Sequence, residues 1–170
     1  NKPDKRNYFT DVMTNMDLES IASGDLSQPF YLALDHRAPH EDAVDPVGPD
    51  AAVRHAKTLK GKKPRTPPSF NEKDVSDKTA WLRNSRSLSG RQKKLISVRS
   101  RRRLRALEAV DESVAKIVSR LDALNELDET FIFFTSDNGF FHGEHRISKG
   151  KFRPYENSSH MPFMMRGPGL

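Results

Sequence analysis

The sequence predicts an α/β fold of the doubly wound kind, in which a helix feeds a strand and the strand ends at a ligand-binding loop. Three observations predict it. Apolar residues recur at steps of three and four from Leu104 to Leu124, the spacing that turns one face of a helix toward a core. A Phe-rich run, Phe131-Ile132-Phe133-Phe134, comes shortly after and has the length of a buried strand. That run breaks off in Thr135-Ser136-Asp137-Asn138-Gly139. In open α/β sheets, ligands gather beyond the carboxyl ends of the strands.

Taken in order, Asn7-Tyr8-Phe9-Thr10-Asp11-Val12 leads into Leu18 and Ile21, and then into a Ser23-Gly24-Asp25 break. Pro29-Phe30-Tyr31-Leu32-Ala33-Leu34 is a second short apolar run, predicted as a strand, and Ala38-Pro39-His40 comes soon after it. Ser89-Gly90-Arg91-Gln92 has the form of a capping box, so the long helix is predicted to start near Gly90. Its apolar face comprises Leu104, Leu107, Val110, Val114, Ile117, Val118, Leu121 and Leu124, and Glu112 and Lys116 are spaced as an exposed i,i+4 pair. Arg101, Arg102 and Arg103 are predicted on its solvated side, or reaching residues outside this chain. Asn125-Glu126-Leu127-Asp128 ends the helix and turns into the Phe131 strand.

Composition narrows the possibilities. The chain has 170 residues, 35% hydrophobic and 31% charged, which suffices for one domain but is lean for a sheet covered on both faces. Cysteine is absent, which excludes disulfides and thiolate metal sites. No apolar run reaches the length needed to cross a bilayer. Between Ala51 and Arg105 there are 18 basic residues against three acidic ones, a local balance of +15; the remainder carries 11 against 20, or −9. Residues 51–100 therefore read as a basic, loop-rich insertion within a single domain over 1–170. Such a stretch either attracts a polyanion or forms a solvated face. It has no interleaved aromatics and no nucleic-acid module, so no nucleic-acid partner is expected.

Asp137 and Asn138 offer two adjacent oxygen ligands of the kind a hard divalent cation takes, and Gly139 lets the backbone turn tightly. The same triplet also makes a plain Asx-type turn. A zinc site built from the chain's histidines is possible on residue type, but only His36 and His40 have His-x3-His spacing and no Glu-x2-His spacing accompanies them.

The segment from this triplet to the end of the chain resembles the sulfatase family. Ser136 to Gly139, Gly143-Glu144-His145, Lys151 four residues before Tyr155-Glu156, and a Pro162-led strand ending Arg166-Gly167-Pro168-Gly169 occur in the family's order and spacing. Ala38-Pro39-His40 after an apolar run is similar to the family's strand that delivers an active-site histidine. Ser69-Phe70-Asn71-Glu72, Asp74 to Lys78 and Trp81-Leu82-Arg83 look like the connecting region of sulfatases acting on glucosamine 6-sulfate. The likeness is weakest from Asp42 to Pro68. Two positions depart from the pattern: His160 stands where Arg is common, and Asn157 where an acid is usual.

The resemblance implies an alkaline-phosphatase-like, mostly parallel doubly wound sheet with flanking helices, of which this chain is the carboxyl-side part. It implies that Asp137 and Asn138 ligate Ca2+ (or Mg2+), that Lys151 and His40 bind sulfate and serve the reaction, and that His145 lines the substrate pocket. Lys149 competes with Lys151, but the distance to Tyr155-Glu156 favours Lys151. Tyr155 and Glu156 would buttress the lysine loop. The family's nucleophile is formylglycine, matured from a Cys or Ser followed by x-Pro-x-Arg; that pattern is absent here. It is expected in a longer protein, and this chain alone is expected to be inactive. The implied partner is a sulfated small molecule or glycan, and the implied location is secreted, periplasmic or lysosomal. The alternatives are a phosphate or phosphonate monoester hydrolase of the same superfamily, and a non-catalytic polyanion-binding module.

Overall fold

The computed structural model describes residues 8–41, 45 and 47–170. Asn7, and part of the 42–68 stretch where the resemblance is weakest, lie outside the described residues. The elements are α1 (Phe9–Ser23), a 3-10 turn at Val53–His55, α2 (Ala80–Arg83), α3 (Gly90–Ala123), a 3-10 turn at Leu127–Glu129, β1 (Ile132–Thr135), α4 (Glu156–Ser159) and β2 (Phe163–Arg166). They divide into two units. One comprises 1–60, 102–131 and 166–170, the other 61–101 and 132–165.

The first unit is built on helices. α1 buries Thr10, Thr14, Asp17 and Ile21, one stripe along its length. The part of α3 in this unit buries Arg103, Ala106, Ala109, Val110, Ser113 and Leu121. This stripe is rotated from the predicted apolar face: Leu104 is exposed, and small side chains take its place. The reason is close approach, since Thr14 Oγ1 and Ser113 Oγ lie 2.7 Å apart across the two helices. Thr14 also donates back to the Thr10 carbonyl at 2.7 Å.

The charges of this unit are paired internally. Arg54 makes two 2.7 Å bonds to Asp11 and also binds Glu112. His55 Nε2 lies 2.9 Å from the same Glu112. The predicted Glu112–Lys116 pair is thereby replaced by longer-range partners. Arg103 is buried rather than solvated, with Glu41 at 3.0 Å. Arg102 pairs with Asp45, and Arg105 donates to the Thr58 carbonyl at 2.8 Å. Four of the basic residues of the 51–105 window, Arg54, Arg102, Arg103 and Arg105, thus hold parts of this unit together.

The capping box forms as expected. Ser89 N–H donates to Gln92 Oε1 at 2.8 Å, and Gln92 N–H to Ser89 Oγ at 3.3 Å. At the other end Asn125 takes the left-handed conformation at φ 59, and Glu126 N–H reaches the Leu121 carbonyl at 2.9 Å. That stops the helix where its end is predicted.

Pro29–Leu34 is not a strand. It runs without a ladder partner and leaves Phe30 and Tyr31 exposed; apolar character alone cannot make a strand when no neighbour supplies the hydrogen bonds. Among the described residues the sheet has two strands, β1 and β2. They run antiparallel, because Phe131 packs on Gly167 at one end and Thr135 Oγ1 donates to the Pro162 carbonyl at the other, at 2.9 Å. The described residues thus show strands and helices together, as predicted, but only this small antiparallel pair of the predicted sheet. Residues 136–162 hold only the four-residue α4, not the helical crossover that parallel neighbours need. β1 is also less buried than predicted, with Phe133 exposed and Ile132 and Phe134 half-buried.

The second unit has a compact core of Val75, Leu82, Leu88, Ile96 and Phe141. Segment 69–71 runs against 143–145: Asn71 N–H donates to the Gly143 carbonyl and His145 N–H to the Ser69 carbonyl, both at 2.8 Å. Gly143 sits at φ 109, and a Cβ there would collide with the Phe70 ring. Only glycine satisfies both demands.

Candidate functional site

The loop after β1 is shaped by a second close approach. Gly139 N–H donates to the Ser158 carbonyl at 3.0 Å, and a Cβ on Gly139 would overlap the Asn157 carbonyl oxygen. Ser136 Oγ donates to the Asn138 carbonyl at 3.0 Å, and Asn138 Nδ2 to the Gly139 carbonyl at 2.9 Å. The amide is thereby oriented with Oδ1 outward, where Lys151 Nζ donates to it at 2.9 Å. Two residues proposed from sequence, thirteen positions apart, thus meet. Asp137 beside them is exposed.

Asp137 and Asn138 are a carboxylate and an amide oxygen on one loop, which fits part of the oxygen shell of Ca2+ or Mg2+. A full shell takes more ligands than these two. Among the described residues no group of three His, Cys, Asp or Glu side chains could hold a metal.

His145 is in the same unit, in the left-handed conformation at φ 51. Its Nδ1 lies 2.7 Å from Glu72 Oε2, and its ring lies 4.7 Å from that of Tyr155 at 32°. The carboxylate makes Nδ1 the protonated nitrogen and leaves Nε2 as the acceptor. Tyr155 in turn meets Phe141 edge-on at 6.2 Å, so it braces the histidine from the buried core. Lys149 is exposed, and His142 stacks against Phe140 at 5.6 Å.

His40 belongs to the first unit. It comes directly after a cis Ala38–Pro39 bond, is exposed, and its Nδ1 lies 2.8 Å from the Glu41 carbonyl. Since a carbonyl only accepts, Nδ1 carries the proton and Nε2 is free to exchange one. His36 is different in kind. It is half-buried, with Nε2 3.1 Å from Ser113 Oγ, and burial lowers its pKa.

Three residues to which the sequence alone assigns no role organise this region. Arg146 donates to the carbonyls of Glu72, Lys73 and Ser85 at 2.9, 2.7 and 2.8 Å. Glu72 holds both His145 and Lys78. Glu144 is buried and accepts from the His142 N–H at 2.6 Å. The partners of Arg146, and His145 as partner of Glu72, are 61 to 74 residues away, so no local periodicity announces them. The one local signal is the Gly-Glu-His-Arg cluster itself, in which every residue proves to be engaged.

Comparison with known proteins gives a consistent picture. The sulfatase family model matches residues 1–170. The chain is 33% identical over 170 residues to a putative extracellular sulfatase of Caenorhabditis elegans, covering 98% of this chain and 23% of that protein. It is 28% identical over 163 residues to the human N-acetylglucosamine-6-sulfatase, covering 96% of this chain and 28% of that protein. A solved structure of a protein in complex with its substrate D-glucosamine-2-N,6-O-disulfate superposes with a TM-score of 0.71 at 21% identity. That match covers 95% of this chain and 43% of the other, and shows likeness of fold. The chain thus spans less than half the length of the proteins it matches.

Proposed function

Because the chain belongs to the sulfatase family, we propose that it carries the carboxyl-side share of a site that hydrolyses sulfate esters of glucosamine-type sugars in a longer protein. The observation that carries this reading is the Lys151–Asn138 bond at 2.9 Å. It fixes an ammonium on the loop after β1, one residue from the Asp137 carboxylate. A cation, a carboxylate and an amide oxygen together suit a tetrahedral oxyanion held beside a hard metal ion.

Asp137 and Asn138 would hold Ca2+, or Mg2+ in its place; when bound, the ion supplies a Lewis acid for a sulfate oxygen. Lys151 has three N–H donors and gives one to Asn138, so the others are available to sulfate oxygens as charge develops on them. His40 would serve proton transfer to the departing oxygen through Nε2, since Nδ1 is committed to the Glu41 carbonyl. His145, clamped by Glu72 and Tyr155, would present Nε2 to the sugar. The formylglycine nucleophile and the remaining metal ligands would come from outside this chain, as would the further strands of a mostly parallel sheet. Both the human relative and the substrate of the solved structure concern sulfated glucosamine, which supports the sugar class. The name of the nematode relative supports an extracellular location.

The test is turnover of an aryl sulfate and an aryl phosphate by the full-length protein. Sulfate hydrolysis that drops about 100-fold in Lys151→Ala is expected. Turnover of phosphate alone would overturn the reading in favour of the phosphate monoester alternative.

A further inference from the structure

The segment that carries His40 is tied to α3 at three points within the helical unit. His36 Nε2 lies 3.1 Å from Ser113 Oγ, Glu41 Oε1 lies 3.0 Å from Arg103 Nη2, and Asp45 pairs with Arg102. Arg103 and Ser113 are about 15 Å apart along the helix axis. Between His36 and Glu41 the chain turns on itself, with the His40 N–H donating to the Arg37 carbonyl at 2.7 Å. That turn ends at His40, which is exposed.

The Arg103–Glu41 anchor differs from its neighbour. Its side chains are only 8% and 12% exposed, whereas those of Arg102 and Asp45 are 32% and 34% exposed. Taking two charges out of water costs about as much as their attraction returns, so a buried pair adds little stability over apolar side chains of the same volume. What it supplies is a fixed place for the residue that carries the carboxylate. Glu41 has a second task. Its carbonyl lies 2.8 Å from His40 Nδ1, and among the described residues that is the one polar partner of the imidazole. The residue that selects the tautomer of His40 is thus the residue whose carboxylate is clamped to α3.

We propose that Arg103 is a positioning residue for His40. By holding the Glu41 carboxylate it holds the Glu41 carbonyl, which keeps a proton on His40 Nδ1 and leaves Nε2 to serve the departing oxygen. In that step an oxygen nucleophile from outside this chain bonds to sulfur as the ester S–O bond breaks. The electron pair goes to the leaving oxygen, which takes the Nε2 proton of the imidazolium. A neutral ring protonated at Nδ1 remains, and water returns the lost proton. Without Arg103 the Glu41 side chain is free to turn to solvent and its carbonyl to move, so the ring is no longer held in one tautomer. The inference rests on the proposed function for the proton transfer, and on the Glu41 contacts for the tautomer.

The experiment uses the full-length protein and two aryl sulfates, 4-nitrophenyl sulfate and phenyl sulfate. A proton donor matters more for the more basic phenolate, so the ratio of kcat/KM on the nitrophenyl ester to that on the phenyl ester reads the work of His40. Arg103→Met is expected to raise this ratio about 10-fold, in the same direction as His40→Ala, and Arg103→Lys, which keeps the charge, to raise it less. Adding Arg103→Met to His40→Ala is expected to change the ratio no further. The double variant Glu41→Leu/Arg103→Met replaces the pair by apolar side chains; its Tm is expected to stay near that of the unaltered protein while the ratio remains raised. By 15N NMR of labelled histidine, the neutral His40 ring is expected as the Nδ1–H tautomer in the unaltered protein and as a mixture in Arg103→Met. If Arg103→Met alone does not fold, the apolar pair carries both readouts. An unmoved ratio, a ratio restored together with the Tm by the apolar pair, or a further rise on the His40→Ala background overturns the inference. If His40→Ala leaves the ratio where it was, or no sulfate is hydrolysed, the proton-transfer reading falls and the NMR signal decides: loss of the Nδ1–H tautomer upholds the positioning by Arg103, and its persistence overturns it.

Discussion

The two units solve the problem of a thin hydrophobic core by different means. In the first, α1 and α3 meet along small and polar side chains, with Thr14 bonded to Ser113 and Arg54 clamping Asp11 and Glu112. Regular helices satisfy their own backbone, so only side chains need partners there. In the second, much of the structure is loop, and the backbone itself has to be satisfied. Gly139 and Gly143 let segments touch, and Arg146 serves three carbonyls that no ladder reaches. The loop-built unit carries Asp137, Asn138, His145 and Lys151 of the candidate residues, and the helical unit carries His40. A loop held by such contacts can present Asn138, His145 and Lys151 in directions that a helix or strand period forbids.

If that contrast is right, substitutions should hurt most where backbone meets backbone. Gly143→Ala combines a forbidden φ with a clash against Phe70 and should destabilise by about 3 kcal/mol or more. Urea unfolding measures it, and a loss under about 1 kcal/mol would mean that the segment relaxes freely. Arg146→Met removes three charge-assisted bonds from carbonyls of the connecting loop, with an expected cost of about 2 to 3 kcal/mol. Amide exchange should rise at residues 72–85, and exchange rising equally everywhere would deny Arg146 its local role.

Smaller effects are expected in the helical unit. Asp17 is buried and its Oδ2 has no hydrogen-bond partner; burial raises its pKa. The ionised carboxylate therefore burdens the folded state. The burden is absent below the unfolded value near 3.8 and is fully felt once the pH has risen through the higher folded value. Asp17→Asn should accordingly stabilise by about 1 kcal/mol at pH 7, with the gain vanishing near pH 3. A Tm difference that does not change with pH would refute this. His36 acts with the opposite slope: burial lowers its pKa below 6.5, so the stability it permits is lost as the pH falls through that lowered value. The smallest effect belongs to the capping box, where Gln92→Ala should cost about 0.5 to 1 kcal/mol and fray only the first turn of α3. Circular dichroism and urea unfolding check it.

Legibility divides along the same line. The α3 capping box, its end at Asn125 and the β1 run are readable because each is a local pattern with a local cause. α1 does not stand out as a helix in the sequence. Its buried stripe is Thr10, Thr14, Asp17 and Ile21, and a polar stripe leaves hydrophobic periodicity almost silent. Pro29–Leu34 misleads for the converse reason, being apolar without a partner strand. The α3 face differs from its prediction because small residues, not large ones, mark the closest helix contact. In the site, Asn138 and Lys151 are legible as a motif with a fixed spacing, whereas Glu72 and Arg146 act across 61 to 74 residues.

By itself the sequence determined the family, the helix boundaries of α3 and the identity of the residues on the loop after β1. Those depend on residue types at short separations, and short-range chemistry is written directly in the order of the chain. The tertiary structure alone decided that β1 and β2 pair antiparallel, that Arg103 is buried against Glu41, and that His145 is held by Glu72. Each of these is a choice among distant partners. That choice is made by which backbone groups and charges lack a closer alternative.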